Sequence, residues 1–537
     1  MRIVTRSRLA WGAAAALALS LASCAKMAAD PPQVSSSSTV AGEPQPSDGK
    51  TPPAEASTPA GPMTITIEDA VLTALENNRA LSVERLNPSI QRTFEQQERA
   101  AFDPRLSAEV SADEASGDRT TADERTGSES RDSSTSGKAT VSELVPTGTT
   151  VELDMTTGPT APAAAAAGDQ TTRAALTVTQ ALLEGRGVAV NLADLRQARL
   201  DTQLSEYELR GFAEGLVAEV EDTYWDYVLA RRQVEILNES LNLAQQQFDE
   251  TQQRVRVGDL AETELAAAEA EVALRREALI NARSTVDTLR ARLVRLIRPG
   301  ALQSADREVT PRSEPTIAAE PLDPLEEHVA VGLRMRPDLN QARLLVQQGD
   351  LELVKTKNGL LPRMDLFVSL GKTAYADSFG RSVRELGDGD DDLSVGVTFE
   401  YPLANRAARA RRQRAVLTQQ QLNGSLLNVE DLVREDVELA YIEVNRARQQ
   451  VDATATTRKF QEEKLRAEMA KFRVGKSTAL LVAQAQRDLV ASQVSEVAAT
   501  TNHLKARTDL FLKEGSLLER RGLSAPGRPP AQRERAH

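Results

Sequence analysis

No proline interrupts residues 163–298 or 403–525 of this chain. Proline inside a helix removes a backbone donor and clashes with the preceding turn. Two proline-free runs of this length, rich in Ala, Leu, Glu, Gln and Arg, therefore leave room for helices far longer than usual. Residues 188–257 alone make about seventy residues, roughly 100 Å of helix at 1.5 Å per residue. Gly258 and Gly475 then permit tight reversals. A second long helix follows each, over 262–297 and 478–512. Only 3% of the 537 residues are aromatic and 27% are charged, too little material for several globular cores.

The chain is duplicated. At an offset of 258, Leu75 matches Leu333, Leu81 matches Leu339, Pro104-Arg105 matches Pro362-Arg363, and Val110-Ser111 matches Val368-Ser369. At 220, Leu183 matches Leu403 and Arg186 matches Arg406. At 217, Tyr224 matches Tyr441, Arg231 matches Arg448, and Arg256-Val257-Gly258 matches Arg473-Val474-Gly475. Shared composition does not place rare Pro, Gly and Tyr residues in the same order twice. Repeat one spans 64–299 and repeat two 325–518, with a linker over 300–324.

Both repeats share one layout. A helical stretch comes first, over 67–101 and 325–361, and Thr66 caps the first with Glu68 and Asp69 in its opening turn. Pro104 or Pro362 stops it. Segments with strand alternation follow. In repeat two these are 364–370 and 393–401, with an acidic turn expected over 387–392. In repeat one they are 105–112 and 174–180, and the loop between them is longer by 38 residues. That insertion reads as an extra β-hairpin, 139–145 and 149–155 around Pro146-Thr147-Gly148.

The N-terminus has the pattern of an export signal. Arg2, Arg6 and Arg8 precede an apolar run of about fourteen residues, too short for a spanning helix. The run ends in Leu21-Ala22-Ser23-Cys24, which resembles the lipobox of bacterial lipoproteins. Residues 1–23 then form a cleaved signal peptide and Cys24, the single cysteine, is the lipid-attachment site. Ala25 after it resembles the outer-membrane sorting pattern of enteric-type lipoproteins. Residues 24–63 read as a Pro/Ser-rich tether and 519–537 as a disordered tail. Loss of the signal takes the formal charge from −13 to −16, a balance that argues against nucleic-acid binding. No later run is apolar enough for a transmembrane helix, so any span must be a closed β-barrel.

A few strands per repeat cannot close a barrel alone, so the chain must pair with copies of itself or stay out of the membrane. The order of helix, Pro, strand hairpin, long helix, Val-Gly turn and long helix, repeated once, resembles the TolC-like outer-membrane efflux proteins. Leu361-Pro362-Arg363-Met364-Asp365-Leu366, Tyr401-Pro402-Leu403 with Arg406, and Phe472-Arg473-Val474-Gly475 carry the likeness. It implies a mainly α fold with membrane β-barrel strands. Duplicated long α-helical hairpins would form a periplasmic tunnel, and a homotrimer would share a twelve-stranded barrel, four strands per chain. It also implies a lipoprotein of the outer membrane, the channel component of a tripartite efflux or secretion system. Its partners would be a periplasmic adaptor protein, an inner-membrane transporter and outer-membrane lipid.

By the same resemblance, the turns holding Arg254, Val257, Gly258, Asp259, Arg473, Val474, Gly475 and Lys476 contact the adaptor. Some family members carry aspartates just past the second turn. Residues 477–484 hold no carboxylate, and Glu262 and Glu264 of repeat one are the candidate tunnel-mouth acids instead. Arg186 and Arg406 follow the strand exits. Phe367, Phe399 and Tyr401 are the candidates for an interfacial aromatic girdle.

Nothing points to catalysis. The three histidines, His328, His503 and His537, form no metal-ligand spacing with the lone cysteine. No phosphate-binding loop occurs, and neither cofactor nor metal is expected. A periplasmic coiled-coil adaptor or scaffold lipoprotein is the alternative reading, though such a protein usually has one helical hairpin flanked by β-rich domains. A lipoprotein enzyme has no candidate residue.

Overall fold

The structure, a computed structural model, describes residues 63–118, 129–159, 170–258, 260–297, 309–317 and 322–524. The signal segment, Cys24, most of the tether and Asp259 lie outside the described residues.

Twelve α-helices and eight strands follow one another among these residues, with one short 3-10 helix at Ala100–Phe102. Thr66 caps α1 (Ile67–Asn77) in a reciprocal box, its hydroxyl accepting from the Asp69 amide at 3.1 Å. The stretch expected as one helix over 67–101 is broken into α1, α2 (Arg79–Glu84) and α3 (Asn87–Arg99). Asn78 makes the first break. Its backbone is extended, its Oδ1 accepts from the Ala80 and Leu81 amides, and its Nδ2 donates to the Leu296 carbonyl. In repeat two, Pro337 forces Arg336 out of the helical region, which separates α7 (Leu325–Met335) from α8 (Pro337–Asn358).

The long helices are present in both repeats. A single turn, α4 (Val188–Asn191), leads into the 64-residue α5 (Ala193–Arg256), which reverses into α6 (Glu262–Ile297). The 68-residue α10 (Arg406–Arg473) reverses into α11 (Ala479–Lys513), and α12 (Leu517–Arg520) is the last element among the described residues. Neither long helix has one partner along its whole length. The first half of α5 packs on α2, α3 and α8 and the second half on α6, while α10 packs on α7 and α8 and then on α11. Ion pairs such as Arg199–Glu95 at 2.9 Å and Lys464–Asp488 at 2.7 Å mark these seams.

The main core sits at the waist, where the partner helices meet end to end. Val217, Val220, Leu293, Ile297, Val437, Val444, Leu510 and Leu517 fill it. Here β1 (Met63–Ile65) pairs in parallel with β6 (Val309–Pro311). The linker expected over 300–324 thus contributes a strand. Tyr224 and Tyr227, fully buried, donate to the Ile65 and Val309 carbonyls at 3.2 and 2.6 Å. Three residues per strand are too few to persist alone, and the tyrosines staple them to α5.

The tail expected from 519 begins too early. Arg521 makes two bonds to the buried Glu221, at 2.7 and 2.6 Å, and Glu519 pairs with Arg210 at 2.8 Å. The buried Glu514 receives His328 Nδ1 at 2.6 Å and Arg520 Nε at 2.7 Å. Burial pushes Glu514 up, but the hydrogen bonds from His328 and Ser516 and the Arg520 charge outweigh it and hold the carboxyl below its usual range.

Six strands form one antiparallel sheet in the order β2-β3-β4-β5-β7-β8: Arg105–Asp118, Glu129–Val145, Thr149–Pro159, Gln170–Ala181, Arg363–Ala376 and Asp390–Glu400. The extra hairpin is β3 and β4, inserted between the two strands that repeat one shares with repeat two. The acidic turn expected over 387–392 is only partly a turn. Asp390, Asp391 and Asp392 belong to β8, and a short helix α9 (Phe379–Glu385) makes the connection instead. Cations across the sheet account for this: Arg173 holds Asp392 at 2.9 Å and Lys372 holds Asp391 at 3.4 Å.

Glu214, buried beside Arg210, gives a test of the waist. Burial raises its carboxyl to about 7, from 4.5, against the pull of Arg210. Between those values the folded chain binds more protons than the unfolded one, so this group's contribution to stability falls as pH rises through the window. Glu214→Gln should therefore flatten the fall in melting temperature of detergent-extracted protein between about pH 5 and about pH 8. An unchanged slope would contradict the assignment.

Candidate functional site: a two-faced sheet and two hairpin tips

Side chains alternate along each strand, so residues opposite one another in the ladder share a face. One row runs across all six strands: Leu106, Val141, Leu153, Leu176, Leu370 and Leu393. A second runs Val151, Val178, Val368 and Val395, and Leu366 opposite Val397 and Met364 opposite Phe399 continue the same face. Val110 is 79% exposed and Leu393 66%, so this apolar face is uncovered in the single chain. The other face carries Arg105, Ser142, Glu152, Thr177, Ser369 and Ser394 in one row. A sheet apolar on one side and polar on the other, with strands of 11 to 17 residues, matches a lipid-facing and a water-facing wall.

The polar wall has its own chemistry. Arg173 on β5 donates through Nε and Nη2 to the two Asp392 oxygens at 3.0 and 2.9 Å, reaching past β7. Gly371 allows this, because a Cβ there would lie 2.6 Å from Asp392 Oδ1. Phe367, a girdle candidate from the sequence, lies on this polar wall and not on the apolar one. It stands opposite Gly396, where a Cβ would meet its ring at 2.4 Å, and its ring covers the bare backbone there. Phe399 does lie on the apolar face, and Tyr401, one residue beyond β8, is part-exposed. Arg186 and Arg406 are exposed at the junctions of sheet and helix.

At the far end of the hairpins, both turns use glycine in the left-handed region. Gly475 has φ 73° and Gly258 φ 84°. The Gly475 amide donates to Phe472 O at 3.1 Å and the Lys476 amide to Lys471 O at 2.9 Å, the paired closure of a Schellman turn. Gly258 donates to Val255 O at 3.1 Å in the same way. The two tips touch: the Arg254 guanidinium lies 5.6 Å from the Phe472 ring centre. A small apolar cluster of Leu465, Val482 and Ala485, with Met469 and Phe472 against it, firms the second tip. Val257 and Val474, at 74% and 68% exposed, point away from it into water. Glu262 and Glu264 lie in the first turn of α6, beside the first tip, with Glu262 exposed. The tips also carry Arg254, Arg256, Lys471 and Arg473, a basic set that accompanies the acids.

Among the described residues no helix is long and apolar enough to cross a membrane, and no group of acids and histidines has the geometry of a metal site.

Residues 332–514, nearly the whole of repeat two, match the family model "Outer membrane efflux protein". The chain is 27% identical over 329 residues to the outer membrane efflux protein BepC of Brucella suis biovar 1 (strain 1330), covering 58% of this chain and 68% of that one. Among solved structures, the outer-membrane channel OprN superposes with a TM-score of 0.65 at 18% identity, covering 84% of this chain and 90% of that one. The Campylobacter jejuni CmeC outer membrane channel gives 0.63 at 14% identity, covering 84% and 86%. Of these, OprN and CmeC are outer-membrane channels and BepC is an outer membrane efflux protein. Repeat two thus matches the outer membrane efflux protein family, and the duplicated helical hairpins and sheet share the fold of the outer-membrane channels OprN and CmeC.

Proposed function

We propose that three copies of this chain share one barrel in the outer membrane and continue below it as a helical tunnel. The tunnel is a passive conduit, with substrates delivered by an inner-membrane transporter through a periplasmic adaptor, and the chain does no chemistry of its own. The observation that carries this reading is the sheet. Its apolar face runs unbroken over six strands, yet both of its edges, β2 and β8, have a partner on one side only. Backbone groups on such edges have no water to bond in hydrocarbon, so a second copy must supply the ladder.

Apolar residues on the helices support the same assembly. Val83, Leu86, Ile90 and Phe94 line one side of α2 and α3, and Leu432, Leu439 and Ile442 one side of α10, all exposed in the single chain. Lateral packing between copies covers stripes of this kind. The number of copies follows the resemblance to the family. Cys24 carries the lipid that anchors the tether.

The tips are the adaptor contact. Val257 and Val474 offer apolar contact, the Gly258 and Gly475 turns offer backbone groups, and Arg254, Arg473 and Lys476 offer charge, with Asp259 next to Gly258 in sequence. Glu262 and Glu264 contribute acidity to the tunnel mouth.

Val257→Asp combined with Val474→Asp tests the contact. Neither side chain packs on the fold, so amount and heat stability in the membrane should stay at the unsubstituted level. Export, read as growth of a deletion strain on a panel of toxic compounds, should fall to that of the deletion. Normal export by this variant would sink the assignment. Gly475→Ala should loosen the tip by about 1–2 kcal/mol, the cost of a Cβ in the left-handed region, seen as faster amide exchange over residues 465–485 and nowhere else. Unchanged exchange there would refute the Schellman account of this turn.

A further inference from the structure

We propose that the barrel of this protein has eighteen strands, six from each of three copies, with β2 of one copy paired to β8 of the next. The proposal rests on the trimeric reading above and deepens it. The twelve strands implied by family resemblance allow four per chain, and the inserted β3–β4 hairpin would then stand outside the wall.

The hairpin is built into the wall instead. β2 pairs with β3 over fourteen positions and β4 with β5 over eleven, while β2 and β5 are not neighbours. Extracting the hairpin would break both ladders and leave two new edges. Its strands have 17 and 11 residues, enough to cross a hydrocarbon layer, which takes about 9–11 tilted residues. Its outward residues continue the apolar face: Ala139, Val141, Val145, Val151, Leu153 and Met155. Standing in water, that surface would be an exposed apolar patch with nothing to cover it. The one charge on this face of the described hairpin side chains, Glu143, lies two residues from its turn.

That turn lies at the helical end of the sheet. Asn191 Nδ2 donates to Pro146 O at 3.1 Å, and the Ala181 backbone amide to Gly148 O at 3.0 Å. Glu143 therefore sits near the periplasmic boundary, where a charge costs little.

Closure follows from direction. The six strands alternate, so β8 runs opposite to β2, and two copies meet edge to edge in the antiparallel sense. Arg105 at the helical end of β2 and Glu400 at the helical end of β8 both lie on the polar face, and Arg363, the repeat mate of Arg105, already stands opposite Glu400 within the chain. Barrel diameter grows roughly linearly with strand number, so the lumen is about 1.5 times as wide as a twelve-stranded one. The polar wall gains the hairpin's Lys138, Thr140, Glu152 and Asp154. The outer-membrane part of the conduit is thus wider and more charged than four strands per chain would allow.

Electron cryomicroscopy of the full lipidated protein in lipid nanodiscs counts the strands. Threefold particles with eighteen strands are the expected result. Threefold particles with twelve strands and the hairpin outside the wall would overturn this proposal and leave the trimeric channel standing. Particles with no closed ring would overturn both. Cysteine labelling reads the hairpin independently, with the unsubstituted protein and its single Cys24 as background. In proteoliposomes a charged maleimide should modify the Asp154→Cys variant at least about tenfold faster than Leu153→Cys, since one faces the lumen and the other lipid. Equal rates at the two positions would place the hairpin in water and overturn the proposal.

Discussion

A backbone amide or carbonyl at the edge of a sheet must find a partner, and in hydrocarbon water is not available. The whole architecture answers to that requirement. β2 and β8 each satisfy one side of their ladder within the chain and leave the other open. On the proposed reading, other copies of the chain supply the missing ladders. The inserted hairpin obeys the same rule. It adds an even number of strands, keeps the two edges antiparallel, and carries the apolar row from Leu106 to Leu176 without a gap.

The helices solve a different problem with one device used twice. A helix of about 100 Å cannot be held by propensity alone and needs packing along its length. Each long helix therefore takes a succession of partners along its length. The joint between partners is the weak point, and the structure concentrates its buried polar bonds there. Tyr224 and Tyr227 tie β1 and β6 to α5, Glu221 binds Thr508 and Arg521, and Glu514 gathers His328 and Arg520. At the other end, two glycines in the left-handed region turn the hairpins and leave the adjoining valines free for a partner.

Much of this was legible in the sequence because its signals are local. Thr66 with Asp69 announces a helix start, Pro146-Thr147-Gly148 a hairpin turn, and Val-Gly after a long apolar period a helix reversal. The duplication made the Val-Gly reversal readable twice, at Gly258 and Gly475. What escaped depends on partners far along the chain. Asn78 breaks a helix because its amide finds Leu296 O, 218 residues away. The acidic run at Asp390 to Asp392 reads as a loop until Arg173, 219 residues before Asp392, neutralises it in the sheet. Phe367 looked like a girdle residue because its strand alternates imperfectly, and only the register opposite Gly396 fixes which wall it joins. The three-residue β6 inside a linker has no sequence signal beyond Val309 itself. For the tips, the turns were readable from glycine, whereas the Arg254–Phe472 contact between hairpins was not.

The central claim is that the open edges of the sheet are closed by other copies of the same chain. Native mass spectrometry of the protein released from outer membranes in mild detergent tests it most directly. The account predicts a single species of three lipidated chains that survives dilution. A folded monomer, stable in detergent with its apolar sheet intact, would contradict it.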